Sequence, residues 1–178
     1  MAMHATVRPA AKLDMLVESG LWKQPGKIKN LLHRAIGQAA ATLSTREVEI
    51  AIVLTDDSAI RLLNRQWRGI DAATNVLSFA SENPSGHGPF IGDIVLAQQT
   101  IAREAGAEHK PFAHHLAHLA VHGFLHLMGY DHQNEKDAAI MERLERRILR
   151  RLAIPDPYRP ALAGRRAPRA KARREPVH

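Results

Sequence analysis

The stretch from His122 to His132, HGFLHLMGYDH, constrains the fold of this chain more than any other part of its sequence. His122 and His126 are four residues apart, so on a helix their side chains share one face and lie about 6 Å apart along the axis. Gly129 can take the left-handed conformation that ends a helix and turns the chain back, which lets His132 approach the same place. The pattern predicts a metal site at the end of a central helix.

The residues available for metal binding favour zinc. The chain has 11 histidines and no cysteine, so disulfide bonds and thiolate ligands are excluded. Three neutral imidazoles suit zinc, whereas Mg²⁺ prefers oxygen ligands. No obvious fourth protein ligand follows His132, and catalytic zinc sites keep their fourth position for water. We therefore predict one zinc ion per chain, bound by His122, His126 and His132.

Two other side chains lie close to this motif in sequence. His118 is two helical turns, about 12 Å, from His126, which is too far for both to share one ion with bonds of roughly 2 Å. We expect His118 to support a ligand or simply to pack. Asp131 is expected either to orient a ligand or a water molecule, or to cap the turn before His132.

The spacing HxxxHxxGxxH also occurs in the metzincin metalloproteases, where three histidines leave one position of the zinc open. In those proteases a glutamate follows the first histidine and acts as the general base. Gly123 occupies that position here, so peptide cleavage by the usual route is disfavoured. A metalloprotease is kept as an alternative function, and no general base is identified.

Hydrophobic periodicity along the rest of the chain predicts an α+β fold, with a small sheet of about four strands packed with about five helices. The predicted strands cover 13–17, 48–54, 76–79 and 91–97, and the predicted helices cover 28–43, 59–67, 98–107, 112–128 and 134–152. Asp56 or Asp57 is expected to cap the second helix. A loop rich in Pro, Gly and Ser is predicted over 82–88. The apolar stripe of the last helix is predicted to consist of Ile140, Met141, Leu144, Ile148 and Leu152.

Composition divides the chain into one predicted domain, 1–154, and a tail, 155–178. The formal net charge is +7, and the tail contributes +5 of it through seven basic and two acidic residues. Its Pro, Ala and Arg content buries too little apolar surface to offset chain entropy, so we expect a disordered tail. Its charge is suited to attracting RNA.

The sequence shows no signal for membrane insertion or secretion. The longest apolar runs are far shorter than a membrane span. Residues 1–12 lack the charged start, apolar middle and small-residue cleavage site of a secretory signal. We therefore expect a cytoplasmic protein.

Three segments together are similar to the YbeY endoribonucleases, also called rRNA maturation factors. The signature HGxLHLxGYDH agrees with residues 122–132 at every specified position. Residues 63–79, LNRQWRGIDAATNVLSF, resemble a second signature, in which an arginine precedes a loop ending in TNVLSF, and residues 92–94 match a GDI element. Gly69 and Ala73 depart from the lysine and proline that are common in that loop. The resemblance covers the whole predicted domain.

The resemblance implies that His122, His126 and His132 are zinc ligands and that Arg68 is a functional arginine. It also implies a single-strand-specific endoribonuclease that acts in rRNA maturation, at the 3′ end of 16S rRNA, and in ribosome quality control. The expected partners are RNA and ribosomal subunits or proteins, and neither DNA nor a membrane is expected. A non-catalytic ribosome assembly factor with structural zinc is the second alternative function.

Phosphodiester chemistry agrees with this implication. Zinc can lower the pKa of its bound water to about 7 and polarise a phosphoryl oxygen, while an arginine stabilises the charge that builds on the phosphate. Arg68 is the candidate for the second role, although it could also satisfy carbonyls at a helix end. Asn75 and Ser78 are predicted to bind substrate, or else to hold the loop by hydrogen bonds.

Overall fold

The computed structural model describes residues 11–45, 47–82 and 89–159, and in that part of the chain it contains four strands and five helices. The elements, in chain order, are β1 (Ala11–Val17), α1 (Pro25–Leu43), β2 (Val48–Thr55), α2 (Asp57–Arg68), β3 (Val76–Ala80), β4 (Phe90–Ala97), α3 (Gln98–Ala107), α4 (Phe112–Leu127) and α5 (Glu135–Arg151). The strands form one sheet in the order β1-β2-β4-β3, in which only β3 is antiparallel to its neighbour. The predicted α+β fold is confirmed. Most of the predicted loop, 83–88, lies outside the described residues.

Helices cover both faces of the sheet because successive residues of its strands point to opposite sides. Ile94 and Leu96 of β4 belong to the main core, together with residues of α1, α4 and α5. Val95 and Ala97 belong to a second cluster, which α2 completes through Ile60. The helix that carries the histidine motif therefore packs in the main core, and α2 packs on the opposite face of the sheet.

Asp56 and Asp57 have separate tasks at the start of α2. Asp56 is the N-cap, since its Oδ1 accepts a hydrogen bond from the Ala59 N–H at 3.0 Å. Asp57 instead links α2 to α3: its Oδ1 accepts from the backbone N–H and the hydroxyl of Thr100, at 3.0 and 2.7 Å. Burial raises the pKa of Asp57, but these bonds and the Arg103 guanidinium outweigh burial and lower the pKa overall. The α2 and α3 helices are thus held together by an ionised carboxylate.

The C-terminal region differs from the prediction in two details. Ile140 is 40% exposed, whereas Leu149 is fully buried in the stripe that faces the core. Residues 155–159, assigned to the tail, form a turn in which the Asp156 carboxylate accepts from the Tyr158 N–H at 3.0 Å. Residues 160–178, the rest of that predicted tail, lie outside the described residues. Where the chain is described, none of the helices combines the length and the apolar character needed to cross a membrane.

Candidate metal centre

The end of α4 and the turn after it bring three histidines together. Gly129 has a φ of +90°, and its N–H donates to the His126 carbonyl at 3.0 Å. The Asp131 carboxylate accepts from the backbone N–H of His132 at 2.7 Å, so it caps the reversed chain. One ring nitrogen from each of His122, His126 and His132 lies within 4.8 Å of the other two. The structure therefore assembles the three predicted ligands into one histidine cluster.

The spacing of His122 and His126 fits two ligands of one zinc ion. The Nε2 atoms of His122 and His126 are 3.1 Å apart. Two ligands of a tetrahedral zinc ion, each bonded at 2.0–2.1 Å, would be separated by about 3.3 Å. Within the described ranges, no Asp, Glu or further His joins the group as a fourth donor, and His132 is exposed to solvent. That zinc binds these residues stays a prediction.

The surroundings of His126 favour its uncharged imidazole, which is the form that binds a metal. Burial lowers the pKa of His126, and the neighbouring His122 and His132 lower it further. The Asp131 carboxylate opposes this shift only in part. His126 therefore presents a free lone pair near neutral pH.

A buried carboxylate of α5 holds the first of the three histidines. Glu145 is fully buried, and its Oε1 lies 2.5 Å from Nδ1 of His122. Burial raises the pKa of Glu145, but the nearby imidazoles of His118 and His122 outweigh burial and hold that pKa at about 2. An ionised carboxylate at Nδ1 places the proton of a neutral His122 there, which leaves Nε2 free to face a metal.

Tyr158 and His118 surround the same carboxylate. The Tyr158 hydroxyl donates a hydrogen bond to Oε2 of Glu145, while burial and this carboxylate raise the pKa of the phenol and keep it protonated. Nε2 of His118 lies 3.6 Å from Oε1 of Glu145. The His118 ring packs edge-on against Tyr158, with centroids 5.6 Å apart. These contacts agree with the supporting role expected for His118, whereas Glu145 and Tyr158 are not among the predicted site residues.

Gly123 lies where α4 comes closest to the sheet. A Cβ atom at this position would be 3.0 Å from Oγ of Ser78 and 3.1 Å from Cγ2 of Ile94. The Gly123 carbonyl also accepts a hydrogen bond from the Ser78 hydroxyl at 3.2 Å. The residue after the first histidine therefore packs against β3 and β4, and a glutamate at this position, as in metzincin proteases, would have to displace the Ser78 and Ile94 side chains.

Arg68 is the last residue of α2, and its side chain is exposed. Over the described ranges its guanidinium makes no hydrogen bond or ion pair, and the Arg65 carbonyl at the helix end is satisfied by the backbone N–H of Gly69. Arg68 is not part of the histidine cluster, because α2 and α4 lie on opposite faces of the sheet. The edge strand β3 lies between the two helices. Its Phe79 ring contacts Trp67, with centroids 5.7 Å apart, and its Ser78 contacts Gly123.

Asn75 fixes the loop that connects α2 to β3. Its Nδ2 donates to both carboxylate oxygens of Glu104, at 3.0 and 3.2 Å, and its Oδ1 accepts from the Val76 N–H at 2.7 Å. Oε2 of Glu104 also lies 2.7 Å from Nε2 of the buried His115. The structure thus shows the loop-holding role for Asn75, as it shows a packing contact for Ser78. Substrate binding by these two residues stays a prediction.

The sheet, its central helix and the open histidine cluster define a class of α+β protein with a candidate zinc site at a helix end. Comparison with known proteins narrows this class to a family. The chain matches the family model described as Endoribonuclease YbeY over residues 20–153, so it belongs to the YbeY endoribonuclease family. The resemblance found in the sequence motifs is confirmed.

Relatives in this family are similar to the chain over most of their length. The chain is 50% identical to the Endoribonuclease YbeY of Nitrobacter hamburgensis over 155 residues, which cover 83% of this chain and 82% of that protein. It is 49% identical to the Endoribonuclease YbeY of Rhodopseudomonas palustris over 152 residues, covering 82% and 90% of the two chains. The solution structure of TM1509 from Thermotoga maritima has a TM-score of 0.51 at 21% identity, covering 84% of this chain and 99% of that one. That structure shows a shared fold.

Proposed function

We propose that this protein is a zinc-dependent endoribonuclease that cleaves single-stranded RNA during rRNA maturation. The observation that carries the proposal is the histidine cluster, in which three imidazole donors lie within 4.8 Å of one another. Its open side suits a catalytic ion, because structural zinc sites normally fill all four positions with protein ligands. Family membership supplies the substrate class, since the relatives are named endoribonucleases.

The residues around the site have different roles. His122, His126 and His132 would hold the ion, and Glu145 keeps Nε2 of His122 directed toward it. A bound zinc ion supplies Lewis acidity, which activates water and polarises a phosphoryl oxygen.

Arg68 would stabilise the negative charge that develops on the phosphate. Its guanidinium has no competing acceptor among the described residues, so it can meet a phosphate without first breaking an ion pair. A guanidinium can also donate to two phosphate oxygens at once, which fixes the orientation of the phosphodiester. A strand that crosses the edge of the sheet at β3 would contact both Arg68 and the histidine cluster. Asn75 and Ser78 keep that edge in place and are proposed to contact the strand.

Both alternative functions are less well supported. A metalloprotease of the metzincin type needs a glutamate at position 123, where this chain has a glycine packed closely against Ser78 and Ile94. A ribosome assembly factor with structural zinc needs a closed set of ligands, and the cluster offers three. We propose that the enzyme acts in the cytoplasm on rRNA, including the 3′ end of 16S rRNA, in contact with a ribosomal subunit.

The direct test is cleavage of labelled RNA by protein that has been stripped of metal and reloaded with either zinc or Mg²⁺. We expect about one zinc per chain by elemental analysis and zinc-dependent cutting of a single-stranded 16S 3′ fragment, with its duplex form left intact. His122→Ala should lose both zinc and cleavage, whereas His114→Ala, a histidine of the same helix outside the cluster, should keep both. Absence of zinc from the wild type, with His122→Ala unchanged, would remove the site.

A further inference from the structure

The outward side of α5 carries an unusual concentration of arginine. Five exposed arginines lie between positions 143 and 151, and the segment contains no lysine. Arg143, Arg147 and Arg150 recur about one turn apart, so they form a stripe with a spacing of roughly 5.4 Å along the helix. Glu145, which contacts the histidine cluster, points to the other side of the same helix.

Most of this positive charge is not neutralised by ion pairs with the described residues. Arg146 is engaged, since it pairs with Glu142 at 3.2 Å and with Asp156 at 3.3 Å. The guanidiniums of Arg143, Arg147 and Arg150 make no ion pair or hydrogen bond over the ranges that the structure covers. Like charges one turn apart destabilise a helix, so the stripe opposes folding unless a partner of opposite charge binds it.

The stripe borders a cleft of about 580 Å³ between α5 and the turn that follows it. Arg159 contributes a further guanidinium from the turn, and Ile154 and Pro155 add apolar surface. Asp156 is the one carboxylate in this lining, and it already binds Arg146 and the Tyr158 N–H. The lining, with five arginines against one aspartate, is strongly cationic, and we call it the arginine cleft.

We propose that the arginine cleft binds the sugar–phosphate backbone of a single RNA strand, as an RNA contact separate from the histidine cluster. A cleft of this volume has the size that holds a ligand of a nucleotide's dimensions. Guanidiniums bind phosphate oxygens in pairs and stack on unpaired bases, and the apolar residues can pack against a base or ribose. The inference rests on the proposed function for its choice of RNA as the anion.

Two features favour RNA over an acidic protein surface as the occupant. The stripe consists of arginines alone. A planar guanidinium can donate to two phosphate oxygens at once and stack on a base, whereas lysine would serve equally well to bind a diffuse acidic surface. The chain beyond Arg159 also continues with six further basic residues against one acidic residue. This net positive charge of the following sequence suits a polyanionic partner such as RNA.

The test compares two triple variants of the zinc-loaded full-length chain that lose the same three charges. The first is Arg143→Gln, Arg147→Gln and Arg150→Gln in the arginine cleft. The matched control is Lys27→Gln, Lys29→Gln and Arg34→Gln on the exposed side of α1. Fluorescence anisotropy with a labelled 2′-O-methyl oligouridylate of 12 nucleotides, checked to be intact on a gel, gives the Kd over a range of salt concentrations.

The cleft variant should reduce the slope of log K against log salt by about 2, because each lost contact with a single strand is worth about 0.7. At 0.1 M salt this corresponds to binding that is about 10- to 100-fold weaker. The control should keep the wild-type slope. If the cleft variant has the same slope and Kd as the control, the proposal is overturned, and an acidic protein becomes the better candidate for this surface.

A separate readout distinguishes this result from failure of the proposed function. Zinc content and zinc-dependent cleavage of unmodified RNA depend on the histidine cluster, which lies on the other side of α5. A wild-type protein that cleaves no RNA, but whose salt slope depends on the arginine cleft, would refute the catalytic proposal and leave this inference standing. If the wild type shows zinc-dependent cleavage but the cleft variant has the wild-type salt slope, the arginine-cleft proposal is refuted and the catalytic proposal stands.

Discussion

The histidine cluster is held in place by buried contacts, whereas Arg68 is exposed to solvent. His122 is held through a fully buried carboxylate, and its donor atom is already within reach of His126. Arg68 stands exposed at a helix end, with no partner among the described residues. The histidine side chains therefore lose their conformational entropy when the protein folds, whereas the Arg68 side chain loses its conformational entropy when substrate binds. Substitutions around the cluster should change metal binding, and substitutions at Arg68 should leave metal binding unchanged and slow the reaction.

The largest effect is expected at Arg68. Arg68→Ala should fold normally and keep its zinc yet slow RNA cleavage by roughly 10² to 10³, or about 3 to 4 kcal/mol, because a charge-stabilising donor is lost. Arg68→Lys should recover only part of the cleavage rate, since an ammonium cannot donate to two phosphate oxygens in the fixed geometry of a guanidinium. Single-turnover rates at saturating protein separate this step from binding.

Arg65→Ala is the matched control for Arg68→Ala. Arg65 is an exposed arginine of the same helix, and its replacement should leave the cleavage rate close to that of the wild type. Wild-type rates in zinc-loaded Arg68→Ala would remove the distinction between the two arginines and reopen the non-catalytic alternative.

The next effect concerns Glu145. Glu145→Gln should weaken zinc binding by about 10- to 100-fold, because loss of the carboxylate at Nδ1 loosens the orientation of His122 and makes it less basic. Competition with a chromophoric chelator measures the affinity. Glu142→Gln is the control, since Glu142 lies on the same helix and, among the described residues, forms its ion pair with the partly exposed Arg146. Equal zinc affinities in the two variants would show that the buried carboxylate does not act on the metal.

A smaller effect on zinc affinity is expected at Tyr158, whose hydroxyl is linked to the cluster through Glu145. Tyr158→Phe removes one hydroxyl and keeps the ring that packs on His118. One hydrogen bond to a charged group is worth about 1.5 to 3 kcal/mol, and part of this loss should appear as weaker zinc binding and part as lower stability. Unfolding in urea with and without zinc separates the two parts. A variant unchanged in both would mean that the turn over 155–159 is not coupled to the site.

The smallest effect is expected at the link between α2 and α3, at the opposite end of α2 from Arg68. Asp57→Asn should lower the free energy of unfolding at pH 7 by about 1 to 2 kcal/mol, because it removes the charged acceptor of three hydrogen bonds. The pKa of Asp57 is lowered in the folded protein from 3.8, so its stabilisation is present above that value and is lost as the pH falls through the folded pKa.

Urea unfolding of the wild type and of Asp57→Asn at pH 7 and near pH 3 measures this dependence. The difference between the two proteins should shrink at the acidic pH. A difference that is independent of pH would mean that the ionised carboxylate of Asp57 does not contribute the stability assigned to it.

Local patterns were sufficient to predict the elements and the histidine cluster, because helical and strand periodicity depend on neighbouring residues. The third helix, 98–107, was predicted with the bounds that the structure shows. The roles of Glu145 and Tyr158 depend on how α4, α5 and the following turn pack, which no local pattern specifies. One signal was available for Glu145: it lies four residues after Met141 and three before Ile148, so it is an acid on the buried side of its helix. Tyr158 offered none, because its surroundings have the composition of a tail.

Zinc in the histidine cluster is proposed to enable RNA cleavage with one ion per chain. The decisive experiment adds zinc in steps to metal-free protein and measures the single-turnover cleavage of a single-stranded 16S 3′ fragment. We expect the cleaved fraction to rise in proportion to added zinc and to level off at one equivalent per chain, with no rise in His126→Ala. Cleavage that persists in the metal-free protein, or that is the same in His126→Ala, would contradict the account.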